Sequence, residues 1–163
     1  MKKFELTSES IVNIFGKKLF RIRALIEFGN VKEGELGGFV EKEENLSHEG
    51  NAWVYDDAEV YDDAEVSGNA EVSGNAKVYG NAWIYDDAEV SDDADYATIK
   101  GFGTEFRTTT FFRCKDGVTR VRCGCFYGDL EEFRVQVKNT RKGKIAEEYL
   151  MIADLMEKHF KEE

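Results

Sequence analysis

The sequence predicts a mainly β fold, a parallel β-helix flanked by two caps, and three observations carry that prediction. Residues 51–98 repeat one six-residue unit eight times without a gap: NAWVYD, DAEVYD, DAEVSG, NAEVSG, NAKVYG, NAWIYD, DAEVSD, DADYAT. Within it an aliphatic residue returns at every sixth position (Val54, Val60, Val66, Val72, Val78, Ile84, Val90, closed by Tyr96), with an alanine two residues before each. Neither the 3.6-residue period of a helix nor the two-residue period of a lone strand gives a strict period of six. Tandem hexapeptides instead suit a triangular coil in which one hexad makes one side.

A triangular coil takes about 18 residues, so residue i is expected over residue i+18. Asp56-Asp57 then stacks on Gly74-Asn75, Asp62-Asp63 on Gly80-Asn81 and Gly68-Asn69 on Asp86-Asp87, so that no acidic corner meets another directly. Gly, Asn and Asp fit corners because they tolerate unusual backbone angles. Glu59, Lys77 and Asp95 form a charge ladder in the same register, and Tyr61 stacks over Tyr79. Phe39-Val40 and Leu46 read as earlier hexad centres, with a two-residue corner insertion between Ser47 and Gly50 that holds His48.

The remaining elements follow in chain order. Residues 1–36 form a strand-rich cap, with Arg21 and Arg23 alternating against Phe20, Ile22 and Phe28. The repeat domain covers 37–98, and 99–163 form a C-terminal α+β domain. There, β-rich runs at 108–114 and 118–126 flank Asp116-Gly117, a strong hairpin signal. A two-residue turn at that point pairs Arg113 with Arg120, Phe112 with Val121 and Phe111 with Arg122. One face then carries Phe112, Cys114, Val121, Cys123 and Cys125, and the other Thr109, Phe111, Arg113, Arg120 and Arg122. Asp129 and Glu132 make a capping box that opens a helix. A second helix runs over 145–160, with Ile145, Tyr149, Ile152, Met156 and Phe160 on one stripe.

Charge is unevenly distributed. Residues 51–98 hold thirteen acidic side chains and one lysine, whereas 99–163 hold thirteen basic and eleven acidic ones, within a net charge of −11. The acidic repeat disfavours direct DNA binding and anionic membranes, while the tail suits an anion. No long apolar run predicts a membrane span and no charged-then-apolar leader predicts secretion, so the expectation is cytoplasmic. Three cysteines without a CxxC pattern point to reduced thiols.

Chemistry is expected where local rules are broken. Arg113 opposite Arg120, with Arg122 two residues on, sets like charges across a strand pair. Arginine binds phosphate bidentately, Phe111 offers a stacking surface, Thr109 a hydroxyl, and the helix start near Gly128 free backbone N–H groups. These six residues form the expected ligand site, for a nucleotide-like anion. Trp53, Tyr55, Tyr61, Tyr79, Trp83 and Tyr85 fall at outward positions and form the expected interface, for self-association, with β-formers filling exposed strand positions as the alternative. His48 is the one histidine placed for an acyltransferase base; two distant histidines do not make a γ-class carbonic anhydrase metal site, and the paired aspartates lack a glycine-rich calcium-binding pattern. Neither a cofactor nor a metal is expected.

The stretch LFRIRALIEFGNVKEGELGGFVEKEENLSHEGNAWVYDDA, with its GGFVE turn and NLS-x-x-GNAW opening, resembles a family of bacteriophage and prophage hexapeptide-repeat proteins. The segment TTFFRCKDGVTRVRCGCFYGDLEEF resembles their C-terminal part. The resemblance implies a left-handed β-helix, for which trimers are common, and a phage origin with action in the host cytoplasm; it brings no activity. The reading it leaves is a non-enzymatic binding protein that antagonises host defence by sequestering an anionic nucleotide signal. Two alternatives stand beside it: an acidic rod that binds a host protein as a nucleic-acid mimic, and a hexapeptide acyltransferase using His48.

Overall fold

A computed structural model of the chain describes residues 2–161 and divides it into two units, Met1–Asp93 and Ala94–Glu163. In the first unit the strands are β1 (Phe4–Val12), β2 (Lys18–Ala24), β3 (Leu36–Val40), β4 (Trp53–Val54), β5 (Glu59–Val60), β6 (Glu65–Val66), β7 (Glu71–Val72), β8 (Lys77–Val78), β9 (Trp83–Ile84) and β10 (Glu89–Val90). The second unit contains β11 (Tyr96–Ile99), β12 (Thr109–Arg113), β13 (Thr119–Cys123), β14 (Phe126–Asp129), α1 (Leu130–Thr140) and α2 (Gly143–Phe160).

The expected fold class, a left-handed parallel β-helix with two caps, is corrected by this arrangement. The described residues form fourteen short strands in four small sheets, one mixed, one antiparallel and two of only two or three parallel strands, together with two α-helices. Two physical causes stand behind the difference. Each hexad turns at its polar corner, which leaves strands of only two residues. The N-terminal residues extend one stack of the repeat at its first strand: β1, β2 and β3 are antiparallel, and β3 then pairs parallel with β5, giving the mixed order β1-β2-β3-β5-β8.

The 18-residue register is nevertheless present as strand pairing. Glu59 pairs with Lys77 and Val60 with Val78, Trp53 with Glu71, Glu71 with Glu89, and Glu65 with Trp83, all parallel. Two residues inserted between Leu46 and Ala52 lengthen the first step to twenty, so Val40 pairs with Val60 and Leu46 bridges to Val66. Backbone bonds complete the pairs: Glu59 N–H donates to Ala76 O at 3.0 Å and Tyr61 N–H to Val78 O at 3.0 Å. The hexad alanines and aliphatics are buried throughout, as an inward-pointing period of six requires. The eighth hexad departs from this pattern: Asp93–Asp95 make a short 3₁₀ turn, and β11 pairs antiparallel with β12 in the second unit.

The corners explain why Asp and Gly interchange. Asp56, Asp62 and Asp86 have φ of 55°, 58° and 54°, in the same left-handed region as Gly68, Gly74 and Gly80. Aspartate enters that region at a steric cost and compensates with its carboxylate. Asp56 Oδ2 accepts from Gly74 N–H at 2.9 Å, and Asp62 Oδ2 from Gly80 N–H at 3.2 Å, each 18 residues on. Gly68 is needed for a second reason, since a Cβ there would lie 2.7 Å from the Asp86 amide nitrogen.

The N-terminal strands are fastened to the repeat by two cations. Arg21 donates to Glu9 (2.7 Å), to Gly37 O (2.7 Å) and to Asp57 (3.1 Å), and its guanidinium lies 4.3 Å from the Phe39 ring centre. Buried Lys3 donates through Nζ to Ala52 O at 2.7 Å and sits 4.7 Å from the Phe28 ring centre. Burial lowers its pKa from 10.5 to about 8. β1, which supplies Lys3 and Phe4, is an element that the sequence reading missed; its alternation of Phe4 and Leu6 with polar neighbours was the available signal.

In the second unit the order β11-β12-β13-β14 is antiparallel, and α1 and α2 cover one face. The capping box at α1 is formed as expected: Asp129 Oδ1 accepts from Glu132 N–H at 2.8 Å, and Glu132 Oε1 from Asp129 N–H at 3.1 Å. Arg134 ties α1 to α2, reaching Asp154 at 2.9 Å and Glu157 at 3.1 Å. No helix of the described residues is long and apolar enough to cross a membrane.

Two stability predictions follow from these contacts. Asp56→Ala removes the Gly74 hydrogen bond while keeping a Cβ at positive φ, and is expected to cost about 1–2 kcal/mol in urea unfolding, with Asp56→Asn near neutral. The Lys3 pKa is lowered on folding, so folded protein binds fewer protons than unfolded between about pH 8 and pH 10.5. Stability therefore rises across that window, by roughly 3 kcal/mol at most. Subtracting the pH profile of Lys3→Met from that of the wild type is expected to isolate this rise.

Candidate functional site

The expected anion site is dispersed by a one-residue change in hairpin register. The turn between β12 and β13 is a three-residue loop, not a two-residue one: Cys114 N–H donates to Val118 O at 3.1 Å, Gly117 N–H to Cys114 O at 2.9 Å, and Gly117 takes φ +82°. The pairs become Arg113 with Thr119, Phe112 with Arg120, Phe111 with Val121 and Thr110 with Arg122. Side chains alternate across a strand, so a slip of one in the pairing brings different residues onto a shared face. Arg113 now shares a face with Phe111 and Val121, which pack on the helices, whereas Arg120 and Arg122 share the opposite face with Phe112.

Each expected ligand residue has a local employment. Phe111 is fully buried and meets Phe133 edge-on at 6.1 Å. Buried Thr109 donates its hydroxyl to Cys123 Sγ at 3.1 Å. Arg113 pairs with Asp95 at 3.0 Å, donates to Phe160 O at 2.8 Å and lies over the Phe160 ring. Asp95 is therefore an ion-pair partner of Arg113 in the second unit. Arg120 forms a two-bond pair with Asp116 (3.0 and 2.9 Å), which raises the arginine pKa and holds the aspartate down to about 2. Cys114 lies beside this pair, its thiol pushed up chiefly by burial while Arg120 pulls the other way. Arg122 lies opposite Tyr127 in the pairing of β13 with β14. Gly128 is buried in β14 opposite Val121, not at an open helix start.

The expected interface aromatics divide similarly. Trp53 is 0% exposed, packed against Phe4 and Phe28, and Tyr61 is 2% exposed under Leu19, Phe39 and Ile11. Both are outward on their hexads, but the N-terminal strands cover them. Tyr61 stacks on Tyr79 at 5.2 Å and 8°, as the register requires, and Tyr79 is exposed on its outer side. Tyr55, Trp83 and Tyr85 are half-buried, Trp83 donating to Ser67 Oγ at 2.8 Å.

His48 has a structural role in the first unit. Its ring stacks on Phe4 at 4.4 Å, and Nδ1 accepts the Lys3 backbone N–H at 3.1 Å. An accepting Nδ1 puts the neutral ring's proton on Nε2, which faces Glu43 at 3.6 Å. Among the described residues no three His, Cys, Asp or Glu side chains gather to hold a metal ion.

The second unit contains a concave site that the sequence reading did not find. A cavity of about 270 Å³ is lined by Phe102, Phe126, Phe133 and Tyr149, with Arg107 and Arg141 among its walls beside Thr104, Gln136 and Thr140. The loop joining β11 to β12 brings Phe102 and Arg107, the end of β13 brings Cys123, the tight turn after it Cys125, and the α1 C-terminus Arg141. Glycine shapes two of these walls. Gly124 (φ +59°) lets the Arg107 guanidinium lie against the turn where any Cβ would collide with it, and Gly103 does the same for the Tyr149 hydroxyl. Arg107 is paired with Glu105, whereas Arg141 has no ion-pair partner among the described residues. Burial, with Cys123 nearby, raises the Tyr149 pKa, and the two arginines oppose that rise. Glu105 also lines the cavity, so the rim carries two guanidiniums and one carboxylate, and above an aromatic floor its net positive charge suits an anion bearing a planar apolar group.

The second unit depends on Arg113 as a pinned cation in its own sheet. Arg113→Met is expected to cost about 1–3 kcal/mol in thermal or urea unfolding, because Asp95 and the Phe160 carbonyl lose their partner together.

Comparison of the chain with models of known protein families and with curated proteins finds no match.

Proposed function

We propose that this protein is a binding protein for a small anion with a planar aromatic part, of the nucleotide class, held in the cavity of the second unit. The observation that carries the reading is the meeting of Arg107 and Arg141 with Phe102, Phe126 and Tyr149 around one cavity. The aromatic floor would take the base by stacking, and the guanidiniums the phosphate by bidentate hydrogen bonds. A volume of about 270 Å³ lies just under the range of roughly 300–1,000 Å³ usual for small-molecule pockets, which suits one base with its phosphate at the mouth. The hairpin arginines contribute less to this reading because they lie outside the cavity; Asp95 and Asp116 compensate Arg113 and Arg120 as Glu105 compensates Arg107, which leaves Arg141 as the cavity cation without an ion-pair partner among the described residues. The resemblance to phage proteins extends the proposal to its setting: sequestration of a nucleotide signal that a host cell uses in defence.

The test is a thermal-shift and calorimetric screen against linear and cyclic mononucleotides, with an Arg107→Ala/Arg141→Ala variant alongside. A ligand at about 100 times its Kd is expected to stabilise the wild type by roughly 2.7 kcal/mol. That shift is expected to vanish in the double variant and to persist in Arg120→Ala. A shift unchanged in the double variant, or none with any nucleotide, overturns the proposal.

A further inference from the structure

The hairpin joining β1 to β2 ends in a group of side chains that its own turn does not need. Asn13 and Gly16 build the turn: Asn13 Oδ1 accepts from the N–H groups of Phe15 and Lys17 at 3.0 Å each, and Gly16 takes φ +78°. Ile14 and Phe15 between them are free to be polar. Instead Ile14 is 86% exposed, Phe15 63% and neighbouring Val12 68%. The Phe15 ring lies 6.4 Å from both Tyr61 and Tyr79, so the tip continues into Tyr79, itself 47% exposed. Large apolar side chains gathered on one surface mark an interaction site more often than chance.

Polar atoms in the same place point the same way. The Tyr61 hydroxyl and Asn13 Nδ2 are buried without a hydrogen-bond partner, a costly arrangement for a native surface. The surrounding charge selects the occupant. Residues 2–93 hold 21 acidic and 9 basic side chains. Of the cations nearest the tip, Lys17 is engaged by Asp62 and Glu41 and Lys42 by Asp63, while Lys18, opposite Val12, lies over the Phe20 ring 5.5 Å from its centre. A second copy docking through the same tip would bring the same acidic field against itself, and an acidic partner would be repelled.

We infer that the β1–β2 tip, with Val12, Ile14, Phe15 and Tyr79, is the docking surface for a basic protein segment that carries an aromatic or aliphatic anchor. Its cations face the acidic first unit while its anchor sits on the exposed apolar group, the division of labour of a hot spot within a charged rim. This surface lies wholly in the first unit and is independent of the cavity described above.

The experiment is fluorescence anisotropy of the full chain with three labelled hexapeptides, alternating Arg/Trp, Arg/Ser and Glu/Trp, together with sedimentation of the protein alone. Arg/Trp is expected to bind about tenfold more tightly than Arg/Ser, and Ile14→Ser/Phe15→Ser to erase that difference without changing net charge. Tyr79→Ser, which leaves the hairpin intact, is expected to reduce it and decides the matter if the double variant fails to fold. Equal affinity for Arg/Trp and Arg/Ser, or binding of Glu/Trp as tight as Arg/Trp, overturns the inference. So does self-association of the wild type that the double variant abolishes, which would make the tip a contact between copies.

Discussion

The first unit depends on one constraint, a backbone hydrogen-bond ladder that returns every eighteen residues. Each hexad contributes only two residues of strand, too few to hold a register alone. What fixes the register is repetition: Glu59 N–H on Ala76 O, Glu65 N–H on Ala82 O and Glu71 N–H on Ala88 O are the same bond made in three places. The buried alanines and valines reinforce it, because a slip of one residue in the pairing would turn them out to water. From that ladder come the positions of the corners, the stacking of Tyr61 on Tyr79 and the flat flank on which β3 extends a sheet.

How far the fold was legible depended on whether a feature repeats or is local. The hexad period exposed the pairing of Val60 with Val78, and the Asp129/Glu132 capping box marked the start of α1. Neither required knowledge of distant residues. The overall class was less legible, because nothing in the repeat says that β1 and β2 will add antiparallel to its first strand and make the sheet mixed. The same omission hid Trp53 and Tyr61: a period of six shows which side chains point outward, not what comes to cover them.

The site was harder still. Asp116-Gly117 is compatible with either a two-residue or a three-residue turn, and the choice moves Arg113 and Arg120 to opposite faces of the sheet. Local sequence carries little information about that choice; the apolar packing of Phe111 and Val121 under α1 and α2 makes it. Arg107 and Arg141 stand 34 positions apart in no motif, and only the closing of the helices over the sheet brings them to one cavity. The nearest thing to a signal was glycine: Gly103 and Gly124 sit where an aromatic hydroxyl and a guanidinium need the space of a missing Cβ.

The alternation of Asp and Gly at the corners restricts how such a chain can change its length in evolution. Asp56 lies eighteen residues before Gly74, and Asp62 eighteen before Gly80, so each carboxylate meets an amide. Loss of a single hexad between Asp62 and Asp86 would bring those two aspartates into register, carboxylate against carboxylate, and hand the following strands to different sheets. Loss or gain of three hexads at once keeps each residue's place in the pairing. Changes of length are therefore expected to come most readily in whole coils, steps of fifty-four nucleotides in the gene, because other steps move each strand to a different sheet as well as setting Asp corners against one another.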